Sequence, residues 1–355
     1  MSVKYAPVKW NRNKKVYDLF VAGGIVAYLA VFLAVGSAVW AGEHAISFPI
    51  LLARALGTCA LVMLHIALAI GPLARLDRRF LPLVYNRRHL GVATFLVGFA
   101  HAVVGVGYYH GFGLLNPLVS LLTPPDRVPF EWFGLGALAI LFVMAATSHD
   151  FWQKTLGGSA WKWLHISVYP AYALLVAHVL FGALRSETNL LYPVVLGVGF
   201  VALTGLHLAT GLRERRRDEA PLPSQPVRVA LEVAWVDVGS VDEIPENRAK
   251  VVALPGRERV AVFRHANGIS AVTNVCAHQR GPLGEGKIVD GCITCPWHGW
   301  EYRPEDGCSP PPFQEKIATH RVKVVGRRVL IDPDPLPPGT PVEPAKIEEE
   351  CHAAT

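Results

Sequence analysis

Six long apolar runs fill the first 212 residues and nothing of their kind follows, a partition that limits the possible folds more than any other feature of the chain. The runs lie near 18–41, 49–73, 89–109, 131–148, 161–183 and 190–212. A helix needs about 20 apolar residues to cross roughly 30 Å of hydrocarbon, and lipid offers the backbone no hydrogen-bond partner outside the segment itself. An α-helical membrane bundle of six transmembrane helices is expected over 17–212. It is preceded by a cytoplasmic segment, 1–16, and followed by a basic, Pro-rich linker, 213–227, which contains "DEAPLPSQP" and is expected to be extended. The first run is too long for the apolar core of a signal peptide and is expected to stay in the membrane.

The fixed charges orient this bundle. Lys4, Lys9, Arg12, Lys14 and Lys15 precede the first run; Arg75, Arg78, Arg79, Arg87 and Arg88 separate the second from the third. Lys154 and Lys162 stand between the fourth and fifth, and Arg213, Arg215, Arg216 and Arg217 follow the sixth, while the opposite loops carry only Arg127 and Arg185. Positive charge marks the cytoplasmic side, so a multi-pass protein of the bacterial inner membrane with both termini in the cytoplasm is expected. The net charge of +6 is thereby explained as topology, and no nucleic-acid partner is expected. The long outer loop, roughly 110–130, contains "NPLVSLL", which suits a short helix lying in the lipid interface.

After the linker the pattern changes to short runs such as "RVAVFRH", "HRVKVV" and "RRVLID", rich in Val and separated by turns. A small all-β domain is predicted over 228–333, with a disordered tail over 334–355. Within that domain stand "CAHQRGPL", with Cys276 and His278, and "CPWHGWEY", with Cys295 and His298. Two Cys and two His also suit a tetrahedral zinc site, and spacing alone leaves both metals open. The flanking "GPL" and "PWHGW" resemble the Rieske family, and the resemblance covers the whole β domain. It implies a [2Fe–2S] cluster in which one iron takes Cys276 and Cys295 and the other His278 and His298.

High-potential members of that family join the two loops by a disulfide, at places occupied here by Gly281 and Trp297. The resemblance is therefore to the ferredoxin and oxygenase branch, with a potential toward the lower part of the Rieske range. Tyr302 falls where some members bond a ligand sulfur, although the partner serine position is Trp300; packing is the alternative role for Tyr302. Cys292 and Cys308 match no ligand position and are read as structural. Rieske oxygenases continue into a mononuclear-iron domain, for which the roughly 22 residues after Pro333 leave no room; an electron relay is expected rather than an oxygenase.

Histidines at membrane depth are costly and are functional suspects. Here they are His65, His101, His165, His178 and His207, with His89 at an edge. His165 and His178 are thirteen residues apart, about 20 Å along a helix, but rotated by about 220° unless Pro170 bends the span. "GPLARL", "RRHLG", His101 and the "WLH" to "H" pair of the fifth run resemble the ferric-reductase-like transmembrane family. That resemblance implies one or two b-type haems held by facing imidazoles. Depth pairs His101 with His178 at an outer haem; an inner haem would use His165 with His65 as preferred partner, His89 and His207 being weaker candidates.

Together the two parts imply a probable oxidoreductase that passes electrons between a cytoplasmic cluster and membrane haem toward an outer-side acceptor: ferric iron, quinone, oxygen or a redox protein. No G-x-G-x-x-G follows a predicted strand. A separate cytoplasmic reductase or ferredoxin is therefore expected as donor, and membrane lipid as the surrounding partner. The alternatives are a quinone-linked oxidoreductase subunit and a membrane redox sensor without net catalysis.

Overall fold

The computed structural model describes residues 12–42, 45–80, 83–84, 86–111, 116, 119, 130–186, 189–219, 235–254, 256–266, 268–278, 280–297, 299–311 and 313–347. The "NPLVSLL" stretch, most of the linker and His298 lie outside the described residues. The chain divides into two compact units, Lys4–Leu208 and Ala209–Thr355.

The first unit is helical: α1 (Arg12–Val39), α2 (Phe48–Leu76), α3 (Arg87–His110), α4 (Phe130–Ala146), α5 (Asp150–Ile166), α6 (Val168–Phe181), the single turn α7 (Ala183–Ser186) and α8 (Leu191–Glu219), which runs on into the second unit. Each of the six predicted spans meets a helix. Five stretches are long and apolar enough to cross a membrane, and α4, at 17 residues, is shorter; it extends only about 25 Å. Half of the apolar window of α2 is buried inside the unit, against 6% for α1. α2 packs chiefly on α3, and α4 on α6.

The fifth predicted span is two helices. α5 ends at Ile166, and the Ser167 N–H turns back to the Leu164 carbonyl at 3.2 Å before α6 begins. Pro170 is the third residue of α6, and lacking an N–H it cannot bond the Ile166 carbonyl. The interruption thus falls between His165 and His178, three residues before the proline.

The second unit is built from antiparallel strands. β1 (Val236–Ser240), β10 (Arg328–Ile331) and β9 (Val322–Val325) form one sheet; β2 (Ala249–Val252), β3 (Val260–His265), β4 (Gly268–Thr273) and β8 (Thr319–His320) a second; β5 (Lys287–Val289), β6 (Cys292–Thr294) and β7 (Glu301–Tyr302) a third. Asp290 and Gly291, both at positive φ, make the two-residue turn between β5 and β6, as the right-handed strand twist favours. Val238, Val260, Val262, Ile269, Val329 and Ile331 pack one core between the first two sheets. Phe263, Val272, Leu283 and Ile293 pack a second, which also buries Cys276, Cys295, Trp300 and Tyr302.

Residues 334–347, expected as part of a disordered tail, instead lie along this domain. Ala345 exchanges two backbone hydrogen bonds with Ile269 on β4, and Ala345 and Ile347 pack on the first core. Two apolar side chains placed over an open strand edge are enough to hold this polar stretch, because edge N–H and C=O groups of β4 need partners.

Two buried histidines tie this domain's stability to pH. The His265 ring is bonded to Ser270 Oγ at 2.9 Å, and His320 Nδ1–H donates to the Asp332 carbonyl at 2.9 Å. Burial holds both below their usual value of 6.5. Between the lowered folded value and 6.5 the unfolded chain binds more protons, so stability rises with pH there. Their contribution is complete above pH 6.5 and is lost as pH falls through it toward the folded values. Denaturant unfolding followed by tryptophan fluorescence should show this acid loss, and His320→Gln should flatten it.

Candidate functional site

The two loops that carry the Cys-x-His and Cys-x-x-His pairs close in the same way. The Cys276 N–H donates to the carbonyl five residues on, at Gly281 (2.9 Å), and its carbonyl accepts from the N–H four residues on, at Arg280 (2.7 Å). Cys295 repeats both bonds, with Trp300 (2.7 Å) and Gly299 (3.0 Å). The residue four after each cysteine must turn left-handed: φ is +57° at Arg280 and +68° at Gly299. Glycine adopts that conformation freely, whereas a side chain there costs on the order of 1 kcal/mol. Arg280 is tied down by an ion pair to Glu258 at 3.0 Å.

Gly281 lies under both loops. A Cβ there would come within 2.9 Å of Cys295 Sγ and 3.1 Å of the Trp297 ring. The two positions that relatives bridge by a disulfide are therefore in direct contact here, as glycine against indole. No disulfide joins the described cysteines. Burial pushes the Cys292 thiol up, which keeps it protonated and suits a structural residue.

Trp300 and Tyr302, two residues apart on the strand leaving the second loop, reach back to the first. The Tyr302 hydroxyl lies 3.3 Å from Cys276 Sγ and accepts from the His278 N–H at 3.3 Å. Burial and the Cys276 sulfur push its phenol well above the usual value, so the hydroxyl stays protonated and able to donate to a thiolate. Trp300 stacks on the His278 ring at 4.0 Å with 6° between planes. Its indole N–H donates to Ser309 Oγ at 3.0 Å, and Phe313 packs against it. Buried Cys276 and Cys295 and the buried ring of His278 thus share one cradle. Among the described residues no three His, Cys, Asp or Glu converge as a mononuclear metal site. A two-iron cluster asks for only two protein ligands per iron, so the cradle fits that group; His298 is outside the described residues.

In the helical unit His101 and His178 are held alike. His101 Nδ1–H donates to the Ala53 carbonyl of α2 at 2.9 Å, and its ring lies on Gly57, one turn further along. His178 Nδ1–H donates to the Phe130 carbonyl of α4 at 2.9 Å, and its ring lies on Gly134, again one turn along. Each carbonyl already accepts within its helix but has a second lone pair, and a glycine at that turn lets the ring approach it. With Nδ1 engaged, Nε2 is left as the metal-binding nitrogen. The two rings stand 6.2 Å apart, centroid to centroid, at 81°. Two imidazoles on opposite sides of one metal, with bonds of about 2.0 Å, have centroids roughly 6 Å apart, so the pair fits a haem iron.

His165 differs. Its Nδ1–H donates to Trp161 of its own helix at 3.0 Å, and its ring stacks on that indole at 3.7 Å. Its Nε2 is buried with no hydrogen-bond partner among the described residues. The other histidines are in protein hydrogen bonds: His65 Nε2 with the Tyr172 hydroxyl (2.8 Å), His89 Nδ1 with Asp18 (2.6 Å) and His207 Nε2 with Tyr169 (3.1 Å). The structure does not bring His65 to His165; its ring lies instead against Gly199 of α8.

Sequence reading missed Arg54, beside Ala53, whose guanidinium stands 5.3 Å from the Trp40 ring. A cation inside an apolar run was the available signal. It also missed the glycines beneath the histidine rings, which nothing in the sequence distinguishes from other helical glycines.

A model of the Rieske [2Fe-2S] domain matches residues 234–321, and one of the ferric reductase like transmembrane component matches residues 56–176. The helical part is similar to the haem-binding subunit MsrQ of protein-methionine-sulfoxide reductase. The Caulobacter vibrioides protein is 32% identical over 201 residues, 56% of this chain and 90% of that protein. The match to the Ralstonia nicotianae protein is 35% identical over 125 residues, 35% of this chain and about half (55%) of that protein. The β domain is similar to the ferredoxin component of the alkene monooxygenase system of Xanthobacter autotrophicus, at 32% identity over 30% of this chain and 87% of that protein.

Two expected outcomes follow from this geometry. Tyr302→Phe removes a hydrogen bond that favours the more negative reduced thiolate, so redox titration should give a lower cluster potential. Gly134→Ala places a Cβ 2.7 Å from His178 Nδ1 and should lower haem content in a pyridine haemochrome assay, whereas Gly105→Ala, which meets no neighbour, should not.

Proposed function

Given that this chain belongs to the ferric-reductase-like transmembrane family, here joined to a Rieske [2Fe–2S] domain, we propose that it conducts electrons across the bacterial inner membrane, from a cytoplasmic cluster through b-type haem toward an outer-side acceptor. When bound, cluster and haem supply one-electron carriers. The observation that carries the reading is the His101–His178 pair, two imidazoles 6.2 Å apart, each held by Nδ1 to a backbone carbonyl.

In this reading Cys276, His278, Cys295 and His298 hold the cluster, and His101 and His178 hold the outer haem. His165, with its buried Nε2 unpartnered, holds a second haem on the inner side. His65, His89 and His207 are left to their protein partners. Arg213, Arg215 and Arg216, at the base of the Rieske domain, support its cytoplasmic placement. The donor is a separate cytoplasmic reductase or ferredoxin, and the acceptor is ferric iron, a quinone, oxygen or a redox protein. A role as a methionine-sulfoxide reductase subunit, the activity in the relatives' name, would make the acceptor a periplasmic protein.

Stopped-flow absorbance on the purified protein tests the proposal. Rapid reduction of the cluster should be followed by reduction of haem within milliseconds to seconds, and haem that stays oxidised beside a reduced cluster overturns it. His178→Ala should lose haem absorbance, about half if two haems are present, while keeping the cluster's EPR signal. Unchanged haem content would remove His178 from the ligand set.

A further inference from the structure

We propose that Trp300 is a positioning residue for the cluster, which holds the His278 imidazole and keeps water from the histidine-bound side. The inference rests on the reading of His278 as a ligand. The neighbouring aromatic, Tyr302, already has a polar task at Cys276 and the His278 amide. Trp300 has none toward the cluster, because its indole N–H is committed to Ser309 Oγ at 3.0 Å.

What it offers is a flat apolar face. That face covers the His278 ring at 4.0 Å and 6°, close to parallel. An imidazole ligand has freedom to rotate about its Cβ–Cγ bond, which is a broad torsion; a parallel indole removes it. Trp300 is itself locked: it is 7% exposed, anchored at Ser309 and backed by Phe313 at 4.4 Å. Outer contacts of this kind orient a ligand and tune its metal.

The sign of the effect follows from charge. With two thiolates and two neutral imidazoles, the oxidised [2Fe–2S] centre is neutral overall and the reduced centre is negative. Excluding water disfavours the charged form, so Trp300 holds the potential down. Tyr302, which donates to a ligand thiolate, acts in the opposite direction.

The test compares wild type, Trp300→Leu, Trp300→Phe and Ser309→Ala in the full-length protein, by iron content, EPR of the reduced cluster and redox titration. Trp300→Leu should raise the midpoint potential and change the g anisotropy. Trp300→Phe should restore most of the wild-type behaviour, and Ser309→Ala, which loosens the indole without touching His278, should shift the potential upward by less. Unchanged potential and EPR in a Trp300→Leu protein that keeps its iron overturn the proposal. If that variant loses its iron, Ser309→Ala decides: an upward shift supports the proposal and an unmoved potential overturns it. His278→Ala separates the underlying reading, since a wild-type Rieske signal in that variant would refute His278 as a ligand whatever Trp300 does.

Discussion

Inside hydrocarbon a polar nitrogen can bond only to the protein that carries it, and the helical unit is arranged around that limit. Its histidines solve the problem in two ways. His101 and His178 each give one nitrogen to a carbonyl on a neighbouring helix, which leaves the other with a fixed direction. His65 and His207 use Nε2 on tyrosine hydroxyls and thereby spend the atom a metal would need. The same residue type at similar depth is thus divided into two classes by what stands opposite it. Glycine decides the first class, because only a bare turn lets an imidazole reach a carbonyl that is already in use.

The β domain meets a comparable demand with different means. Four ligands on two short loops have to converge, yet each loop on its own is too short to pack a core. Backbone bonds close each loop onto its cysteine, and a pair of aromatic side chains from the exit of one loop grips the other. Where relatives use a covalent link, Gly281 and Trp297 touch. A non-covalent contact needs no oxidising compartment to form, which agrees with a domain on the reducing side of the membrane.

Much of this was legible from residue types and their spacing. Span number, the β character of the second domain and the Cys-x-His pairs are short-range patterns, and short-range patterns survive in a sequence. Contacts that join distant segments do not. The interruption at Ser167 depends on which carbonyl Pro170 leaves unbonded, one step removed from the proline itself. The docking of Ala345 and Ile347 was hidden because a Pro- and Glu-rich stretch resembles a free tail until a strand edge is available to receive it. His65 was misjudged as the partner of His165 because depth along a helix says nothing about azimuth, and Tyr172 lies where the ring points.

The divided fifth span has a mechanical consequence. A continuous helix carrying both His165 and His178 would act as a rigid rod, so that any tilt at its cytoplasmic end would lever the far imidazole off its carbonyl. The missing hydrogen bond at Ile166 places a joint between them. His165 and its Trp161 stack can follow movements of the cytoplasmic side while His178 stays seated on Gly134, and the two halves of the membrane tolerate strain independently.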